Sequence, residues 1–240
     1  MALQFVFGGS GSGKSTYVYE QIIQQSLQQE RQNFFILVPD QFTMQTQMDL
    51  VTRHPRGGIM NIDVLSFGRL AHRIMEEAGG RHIPVLDDTG KSLVLRKVAG
   101  EVQDQVPILG SHLKKQGYIH EIKSAISEFM QYGIGEKELE EMMDFSQKRG
   151  SLYGKLKDLR ILYKAFLSYL EDRFITTEET MDRLAAQLTD SRLIADSIVV
   201  LDGFTGFTPI QNRVISQLLR RAKDVIVTLT LEQVEMEDSQ

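Results

Sequence analysis

The chain has 240 residues, of which 42% are hydrophobic and 25% are charged, a composition that favours a folded globular protein over a disordered one. Its 27 lysines and arginines stand against 32 acidic residues, so the net charge of -5 provides no overall basic field for nucleic acid, although a local patch is still open. Cysteine is absent, which excludes disulfides, thiolate metal sites and iron–sulfur clusters within these residues. The start, MALQFVF, lacks the basic and long apolar regions of a signal peptide, and no apolar run approaches the roughly 18 residues that span a membrane. We therefore expect a soluble, cytoplasmic protein with no membrane contact.

Strands alternate with helices at both ends of the sequence. Short apolar runs predict strands, helical spacing of apolar residues predicts the helices between them, and Gly79 with Gly80 is expected to end the third helix. This alternation is typical of a parallel α/β sheet. The predicted strands are 3–7, 34–40, 62–65, 196–204 and 224–232, and the helices are 17–27, 43–52, the one that ends at 79–80, and 212–222.

The middle of the chain has a different character, because apolar residues recur there at helical spacing and β-rich runs disappear. Four helices are predicted, in KSLVLRKVAGEV, IHEIKSAISEFMQYG, EKELEEMMDFSQKRG and LYGKLKDLRILYKAFLSYLEDRF. We expect residues 1–84 and 188–240 to form one discontinuous α/β domain, interrupted by an all-helical subdomain at 85–187. The last stretch, EQVEMEDSQ, is acidic and has no core pattern.

A glycine-rich segment between the first strand and the first helix satisfies the phosphate-loop pattern G-x-x-x-x-G-K-[ST] in its required context. Glycines let successive N–H groups surround a phosphate, and the start of the next helix adds its positive dipole. Lys14 is expected to reach the β- and γ-phosphates of ATP, and the Ser15 hydroxyl to bind Mg²⁺. The alternative is a glycine-rich turn with a surface lysine. The predicted nucleotide-binding residues are Gly8, Gly9, Ser10, Gly11, Ser12, Gly13, Lys14, Ser15 and Thr16.

A site of this class also needs an acidic residue at the end of a neighbouring strand to hold the metal. Asp202, after the apolar run 198–201, is the best candidate, although such a residue can also serve as a turn or a helix cap. Asp40 is a weaker rival in a different loop. In proteins that hydrolyse ATP a glutamate commonly follows the metal-binding aspartate, but here the next residue is Gly203. We therefore expect poor hydrolysis and assign no catalytic residue.

Several strings match one family. FGGSGSGKST, LVPDQFTMQTQ, VLSFGRLAHRI, DDTGKSLVLRKV, KKQGYIHEIKSAISEFMQYGI and VVLDGFTGFTPIQ occur in this order from about residue 3 to 231. Together they resemble the N-terminal part of AddB, called RexB in some lineages, which is the second subunit of the bacterial AddAB helicase–nuclease. The phosphate loop is common to many families, whereas its combination with VPDQFT and LDGFTGFTP is much more specific.

The resemblance implies a superfamily 1 helicase fold, hence a P-loop NTPase (RecA-like) parallel sheet with an inserted all-helical subdomain. AddB-like proteins pair with AddA and process double-strand breaks in DNA repair and recombination, responding to Chi sequences, while AddA contains the working motor. Gly203 fits degraded helicase motifs, and so does the lack of an upstream glutamine-containing segment that reads adenine. The full-length family also has a C-terminal nuclease domain with a cysteine-ligated iron–sulfur cluster. Nothing here matches that domain, so the sequence is interpreted as an N-terminal fragment.

By the same resemblance, the loops after the second and third strands are candidates for contact with single-stranded DNA. Phenyl rings can stack on bases, and arginine or backbone donors can bind phosphate. Phe42 and Phe67 could equally be core residues. Lys114 and Lys115, with Lys123 nearby, form a small basic cluster that a solvated helix face explains as well. The DNA candidates are Gln41, Phe42, Thr43, Ser66, Phe67 and Arg69.

Three functions are open at this point. The first is an AddB module that binds ATP–Mg²⁺, hydrolyses it poorly and helps to handle DNA ends and single strands within an ATP-dependent helicase/deoxyribonuclease, without helicase or nuclease activity of its own. The second is a stand-alone P-loop phosphotransferase or kinase, although we find no lid segment with clustered arginines. The third is a protein-interaction surface for AddA in which the phosphate loop is only a fold element.

Overall fold

The computed structural model describes residues 2–79, 84–113 and 115–231. Gly80, Lys114 and the acidic segment 232–240 therefore lie outside the described residues. The chain divides into two compact units, the first from residues within 1–80, 181–207 and 211–240, the second from residues within 81–180 and 208–210. The division at 84/85 and 187/188 stays a prediction.

Seven strands and nine helices occur in the described part of the chain. The strands are β1 (Ala2–Gly8), β2 (Phe34–Leu37), β3 (Ile62–Leu65), β4 (Val85–Leu86), β5 (Ile175–Thr176), β6 (Ile198–Leu201) and β7 (Asp224–Thr230). The helices are α1 (Lys14–Gln28), α2 (Thr43–Arg53), α3 (Phe67–Glu77), α4 (Asp88–Glu101), α5 (Gln116–Tyr132), α6 (Glu136–Ser146), α7 (Gly150–Leu170), α8 (Thr177–Gln187) and α9 (Pro209–Arg221). Single 3₁₀ turns lie at Asp40–Phe42, Gln103–Gln105 and Gly110–His112.

The first unit contains a five-stranded sheet in the order β1-β7-β6-β2-β3, and every pairing is parallel. This confirms the predicted α/β class with a parallel central sheet. All four residues of β2 and of β6 are buried, because helices follow the strands and shield the sheet from water. The carboxyl ends of parallel strands share one edge of a sheet. The loops after β1, β2, β3 and β6 therefore lie along the same edge.

The helix after the first strand is anchored by its apolar face. Val18 and Ile22 of α1 and Leu50 of α2 are fully buried in one cluster with the strand residues Ile36 and Val200. Burying side chains of this size contributes about 1.5–3 kcal/mol each. The anchored helix holds its first turn against the carboxyl edge of the sheet, where the glycine-rich loop ends.

The second unit has a core shared by α4, α5, α6 and α7, and it corrects the prediction of an all-helical subdomain. Val85–Leu86 pairs in parallel with Ile175–Thr176 as a separate two-stranded sheet. Two residues are too few to show a periodic pattern, and the partners are far apart in sequence, so the pairing leaves no local signal. Helix α8 was also missed, because TEETMDRLAAQ contains few apolar residues. No helix within the described ranges is both long enough and apolar enough to cross a membrane.

Candidate functional site

The glycine-rich segment forms a tight loop that leads from β1 directly into α1. Gly11 and Gly13 have φ values of 72° and 86°, in the left-handed region that residues with a β-carbon rarely adopt. The Ser12 amide closes a turn by donating to the Gly9 carbonyl at 3.3 Å. The loop therefore needs glycine at two of its positions, and α1 begins immediately after the second.

Lys14 folds back over this loop. Its Nζ donates to the carbonyl oxygens of Gly8, at 3.0 Å, and Gly9, at 2.7 Å. The packing is close, since a β-carbon at Gly8 would lie 2.5 Å from Ser12 Oγ and 3.2 Å from Lys14 Cγ. The Lys14 ammonium group is thus held against the loop by two backbone carbonyl oxygens.

Asp202 is brought to the same place from the other end of the sequence. It follows β6, its amide donates to the Leu37 carbonyl at 2.9 Å, and only 4% of its surface is exposed. Its Oδ1 accepts hydrogen bonds from Ser15 Oγ at 3.0 Å and from Thr228 Oγ1 at 2.5 Å. Its Oδ2 accepts one from the Tyr19 hydroxyl at 2.6 Å. Three hydroxyl groups therefore surround one buried carboxylate and satisfy its oxygens away from water.

Tyr19 is a buried donor on α1, with 5% of its surface exposed. Burial raises the pKa of its phenol well above the usual value of 10.0, and the nearby negative charge of Asp202 raises it further. The hydroxyl is therefore protonated at physiological pH and can donate to Asp202. It also shares a hydrogen bond with Thr46 Oγ1 at 3.4 Å, which ties α1 to α2.

Tyr19, Thr46 and Thr228 were not predicted as site residues from the sequence. Tyr19 had a usable signal, because it follows Ser15 by four positions in a helix and so lies on the same face. Thr228 had none, since its place depends on the pairing of β6 with β7. In that pairing Leu201 lies opposite Val227, which puts the next residue of each strand side by side.

The structure distinguishes Asp202 from Asp40, the two candidates for the acidic residue near the loop. Ser15 bonds to Asp202, whereas Asp40 is exposed at the start of its 3₁₀ turn, where its carbonyl accepts from Thr43 Oγ1 at 2.9 Å. Gly203 has a φ of 76°, so the backbone immediately after Asp202 is left-handed. A glutamate in this position would carry a β-carbon in an unfavourable conformation.

The residues suggested as DNA contacts fall into an exposed and a buried group. Gln41, Phe42 and Arg69 are exposed, and 42% of the Phe42 surface is accessible. Thr43 and Ser66 are buried at helix starts, where Ser66 Oγ accepts from the Arg69 amide at 3.4 Å. Gln41 and Phe42 lie in the 3₁₀ turn after β2, and Arg69 lies in the first turn of α3 after β3, so all three follow neighbouring strands at the carboxyl edge of the sheet.

Phe67 belongs to an aromatic cluster. It is 6% exposed, and its ring centre lies 5.4 Å from that of Phe204, which in turn lies 5.1 Å from that of Phe207. This placement favours the core role that the sequence left open for Phe67 over stacking on a base. Lys123 is likewise buried, at 7%, and donates to Asp88 Oδ2 at 2.9 Å, so it is not part of an open basic patch.

Comparison with known proteins identifies the family. The family model described as "ADDB, N-terminal" matches residues 5–240. The chain belongs to this family. It is 47% identical over its full length to the B subunit of the ATP-dependent helicase/deoxyribonuclease of Lachnoclostridium phytofermentans, of which it covers 21%. The corresponding B subunits of Alkaliphilus oremlandii and Alkaliphilus metalliredigens are 35% and 34% identical over 100% and 97% of the chain, which covers 21% and 20% of them.

The resemblance to AddB is thereby confirmed, and the chain spans about a fifth of the length of these curated relatives. In this AddB N-terminal chain Asp202 is the carboxylate that accepts a hydrogen bond from Ser15 at the end of the loop. Within the described ranges, no group of three or more His, Cys, Asp or Glu side chains is placed to share a metal ion. A hydroxyl and a carboxylate nevertheless fit Mg²⁺, which prefers oxygen ligands and takes most of its shell from phosphates and water.

Proposed function

We propose that this AddB N-terminal chain binds ATP–Mg²⁺, hydrolyses it poorly, and serves as a DNA-handling module within an ATP-dependent helicase/deoxyribonuclease. The observation that carries this proposal is the 3.0 Å hydrogen bond between Ser15 Oγ and Asp202 Oδ1. It joins the end of a glycine-rich loop to the end of a neighbouring parallel strand, across 187 positions of sequence. That is the arrangement a P-loop NTPase fold of the RecA-like type requires, and we include this fold in the proposal.

The loop and Lys14 support the binding of phosphate. Lys14 Nζ already lies within 3.0 Å of two loop carbonyls, and phosphate oxygens are stronger acceptors for an ammonium than neutral carbonyls are. The first amides of α1 lie at the end of the same loop and have no intrahelical partner, so they are available to bind phosphate. A phosphate of ATP would therefore replace the loop carbonyls as the hydrogen-bond acceptor of Lys14.

Ser15 and Asp202 are the residues that would hold Mg²⁺. When bound, the ion would neutralise charge on the β- and γ-phosphates. Ser15 lies on the loop side and Asp202 on the strand side, so the two oxygens face the same space. The Asp202 carboxylate is held in place by its hydroxyl donors, which suits a metal ligand.

Poor hydrolysis follows from Gly203. A water that attacks the γ-phosphate needs a positioned group to orient it and accept its proton. Gly203 has no side chain, and its left-handed backbone disfavours any residue with one. We therefore infer a site that holds nucleotide rather than one that turns it over.

The wider role is inferred from the relatives, whose names describe the B subunit of an ATP-dependent helicase/deoxyribonuclease. We propose that this chain, in the cytoplasm, works with the AddA subunit on double-strand DNA ends in repair and recombination. Gln41, Phe42 and Arg69 are its proposed contacts with single-stranded DNA, because they are exposed along one edge of the sheet. The family's iron–sulfur cluster would lie outside these cysteine-free residues. Membership of the AddB family argues against a stand-alone kinase.

A fluorescent ATP analogue tests the nucleotide site. Binding is measured with Mg²⁺ for the wild-type chain, for Lys14→Ala and for Lys155→Ala, which removes an exposed lysine in the second unit. Loss of charge-assisted hydrogen bonds to phosphate should weaken Lys14→Ala by roughly 10- to 100-fold. Lys155→Ala should bind like the wild type.

Phosphate release is followed in the same samples. We expect the wild type to release no more phosphate than Lys14→Ala does. Equal nucleotide affinity of wild type and Lys14→Ala would contradict the binding site, and brisk phosphate release would contradict the role assigned to Gly203.

A further inference from the structure

We propose that Tyr19 is a positioning residue for magnesium. Together with Thr228 it holds the Asp202 carboxylate toward Ser15, and it thereby sets how much Mg²⁺ tightens the binding of nucleotide. The inference rests on the nucleotide site proposed above, and it concerns one hydroxyl group, which bonds to Asp202 and Thr46.

The carboxylate of Asp202 is fixed from two sides. Oδ1 accepts from Ser15 and Thr228, while Oδ2 accepts from Tyr19 at 2.6 Å. A carboxylate offers about four lone-pair positions, so three hydrogen bonds leave little rotational freedom. Without the bond to Oδ2, the group could turn about its last torsion, whose energy well is broad. Tyr19 is therefore the restraint on the oxygen that Ser15 does not reach.

Tyr19 is itself held rigidly. It is 5% exposed, and its neighbours Val18 and Ile22 on α1 are 0% exposed in the core. Its hydroxyl is also within 3.4 Å of Thr46 Oγ1 on α2. Core packing on α1 and the hydrogen bonds of the hydroxyl therefore both restrict the side chain. Because Ser15 and Tyr19 are one helical turn apart, α1 presents the hydroxyl ligand and the restraint on the carboxylate ligand as one rigid piece.

A purely structural role for Tyr19 makes a different prediction. If the hydroxyl only stabilised the fold, its loss would change nucleotide affinity equally with and without magnesium. If it positions Asp202, the affinity without metal should stay the same, because that affinity comes from Lys14 and the loop amides. Only the additional tightening caused by Mg²⁺ should decrease.

The experiment compares nucleotide affinity in Mg²⁺ and in EDTA for the wild-type chain, Tyr19→Phe and Tyr163→Phe, using the same fluorescent ATP analogue. Tyr163 is a matched control, since it is also a buried tyrosine, at 7% exposure, but lies in the second unit. We expect Tyr19→Phe to reduce the ratio of the two affinities by about tenfold, the effect of one hydrogen bond to a charged group. Its affinity in EDTA, and both affinities of Tyr163→Phe, should match the wild type.

Thr228→Val provides a second variant, because it removes the hydroxyl that acts on Oδ1 and keeps the branched shape. It should also lower the ratio, and it replaces Tyr19→Phe if that chain fails to fold. An unchanged ratio in the folded variants, or an equal loss in Mg²⁺ and EDTA, would overturn the positioning role. A wild type that binds tightly through Lys14 but shows no effect of Mg²⁺ would overturn it as well. Failure of the wild type to bind nucleotide at all would instead remove the proposed function, and the inference with it.

Discussion

The backbone at Gly203 provides a test that joins stability to function. The substitution Gly203→Ala adds one methyl group directly after Asp202, at a φ of 76°. The added carbon would lie 3.7 Å from Pro39 Cδ and 3.8 Å from Phe42 Cδ2, which are ordinary van der Waals distances. Space is therefore available, and the expected effect comes from the backbone conformation alone.

The magnitude follows from two opposing terms. A residue with a β-carbon in the left-handed region costs about 1–2 kcal/mol. Replacing glycine also restricts the unfolded chain, which returns about 0.4–1 kcal/mol. Gly203→Ala should therefore lower the free energy of unfolding by about 1 kcal/mol. Gly203→Asn should be milder, because asparagine tolerates this conformation better.

Gly206 is a matched control three positions away. It has no positive φ, and no atom lies within 4 Å of the place that a β-carbon would take, so Gly206→Ala should be neutral or slightly stabilising. Urea denaturation followed by circular dichroism gives the free energies, and amide hydrogen exchange in Ile198–Leu201 reports on the first unit. A Gly203→Ala chain as stable as the Gly206→Ala chain would refute the conformational argument.

The same geometry predicts the outcome of restoring a glutamate. Gly203→Glu should have the same unfavourable left-handed backbone. That backbone is not arranged to direct the added carboxylate toward the phosphate site. We expect phosphate release to stay at the wild-type level. Clear ATP turnover by this variant would show that the missing side chain alone accounts for poor hydrolysis.

Two further predictions concern charged side chains away from the loop. Lys91, 3% exposed, donates to both carboxylate oxygens of Glu178 at 2.7 and 2.8 Å, so Lys91→Met should destabilise the chain by about 3–5 kcal/mol, and Lys91→Met with Glu178→Leu should recover most of this loss. Chemical denaturation of the four chains checks it, and strictly additive effects would contradict a coupled pair. For Glu77, burial raises the carboxyl pKa, but hydrogen bonds from Ser191 and two backbone amides outweigh it and lower the pKa overall. Its stabilisation is present at neutral pH and lost as the pH falls through that lowered pKa, so the deficit of Glu77→Gln should disappear at the acid end of a pH series of unfolding free energies.

Elements with a strong local pattern could be predicted well from the sequence. The third strand was expected at 62–65 and occurs at Ile62–Leu65, because a glycine-rich segment and a helix cap bracket a short apolar run. Helix α7 ends at Leu170, earlier than the predicted end at 174. The left-handed φ of 61° at Asp172 is incompatible with continuing the helix, and the spacing of apolar residues there does not predict this conformation.

The residues of the candidate site likewise fall into those with a local sequence signal and those without one. The loop, Lys14 and Ser15 could be proposed from the sequence because the phosphate-loop pattern has a fixed local spacing. Asp202 could be suggested by its place after an apolar run. Tyr19 could have been inferred from helical spacing, but only after Asp202 was known to face α1. Thr228 depends on which strands are neighbours, and strand order is decided by packing across the whole sheet rather than by any local segment.

The hydrogen bonds around Asp202 also give the glycine-rich loop a structural role that does not depend on ATP hydrolysis. Ser15, Tyr19 and Thr228 join α1 and β7 to the end of β6 through one carboxylate. Hydrogen bonds to a charged group contribute about 1.5–3 kcal/mol each, so this cluster stabilises the first unit whether or not nucleotide is bound. An Asp202→Ala variant would therefore lose stability together with the proposed metal ligand, and its failure to bind ATP would not distinguish a nucleotide site from a fold element. Tyr19→Phe separates the two, because it leaves the Ser15–Asp202 pair in place and is judged by the effect of magnesium rather than by binding alone.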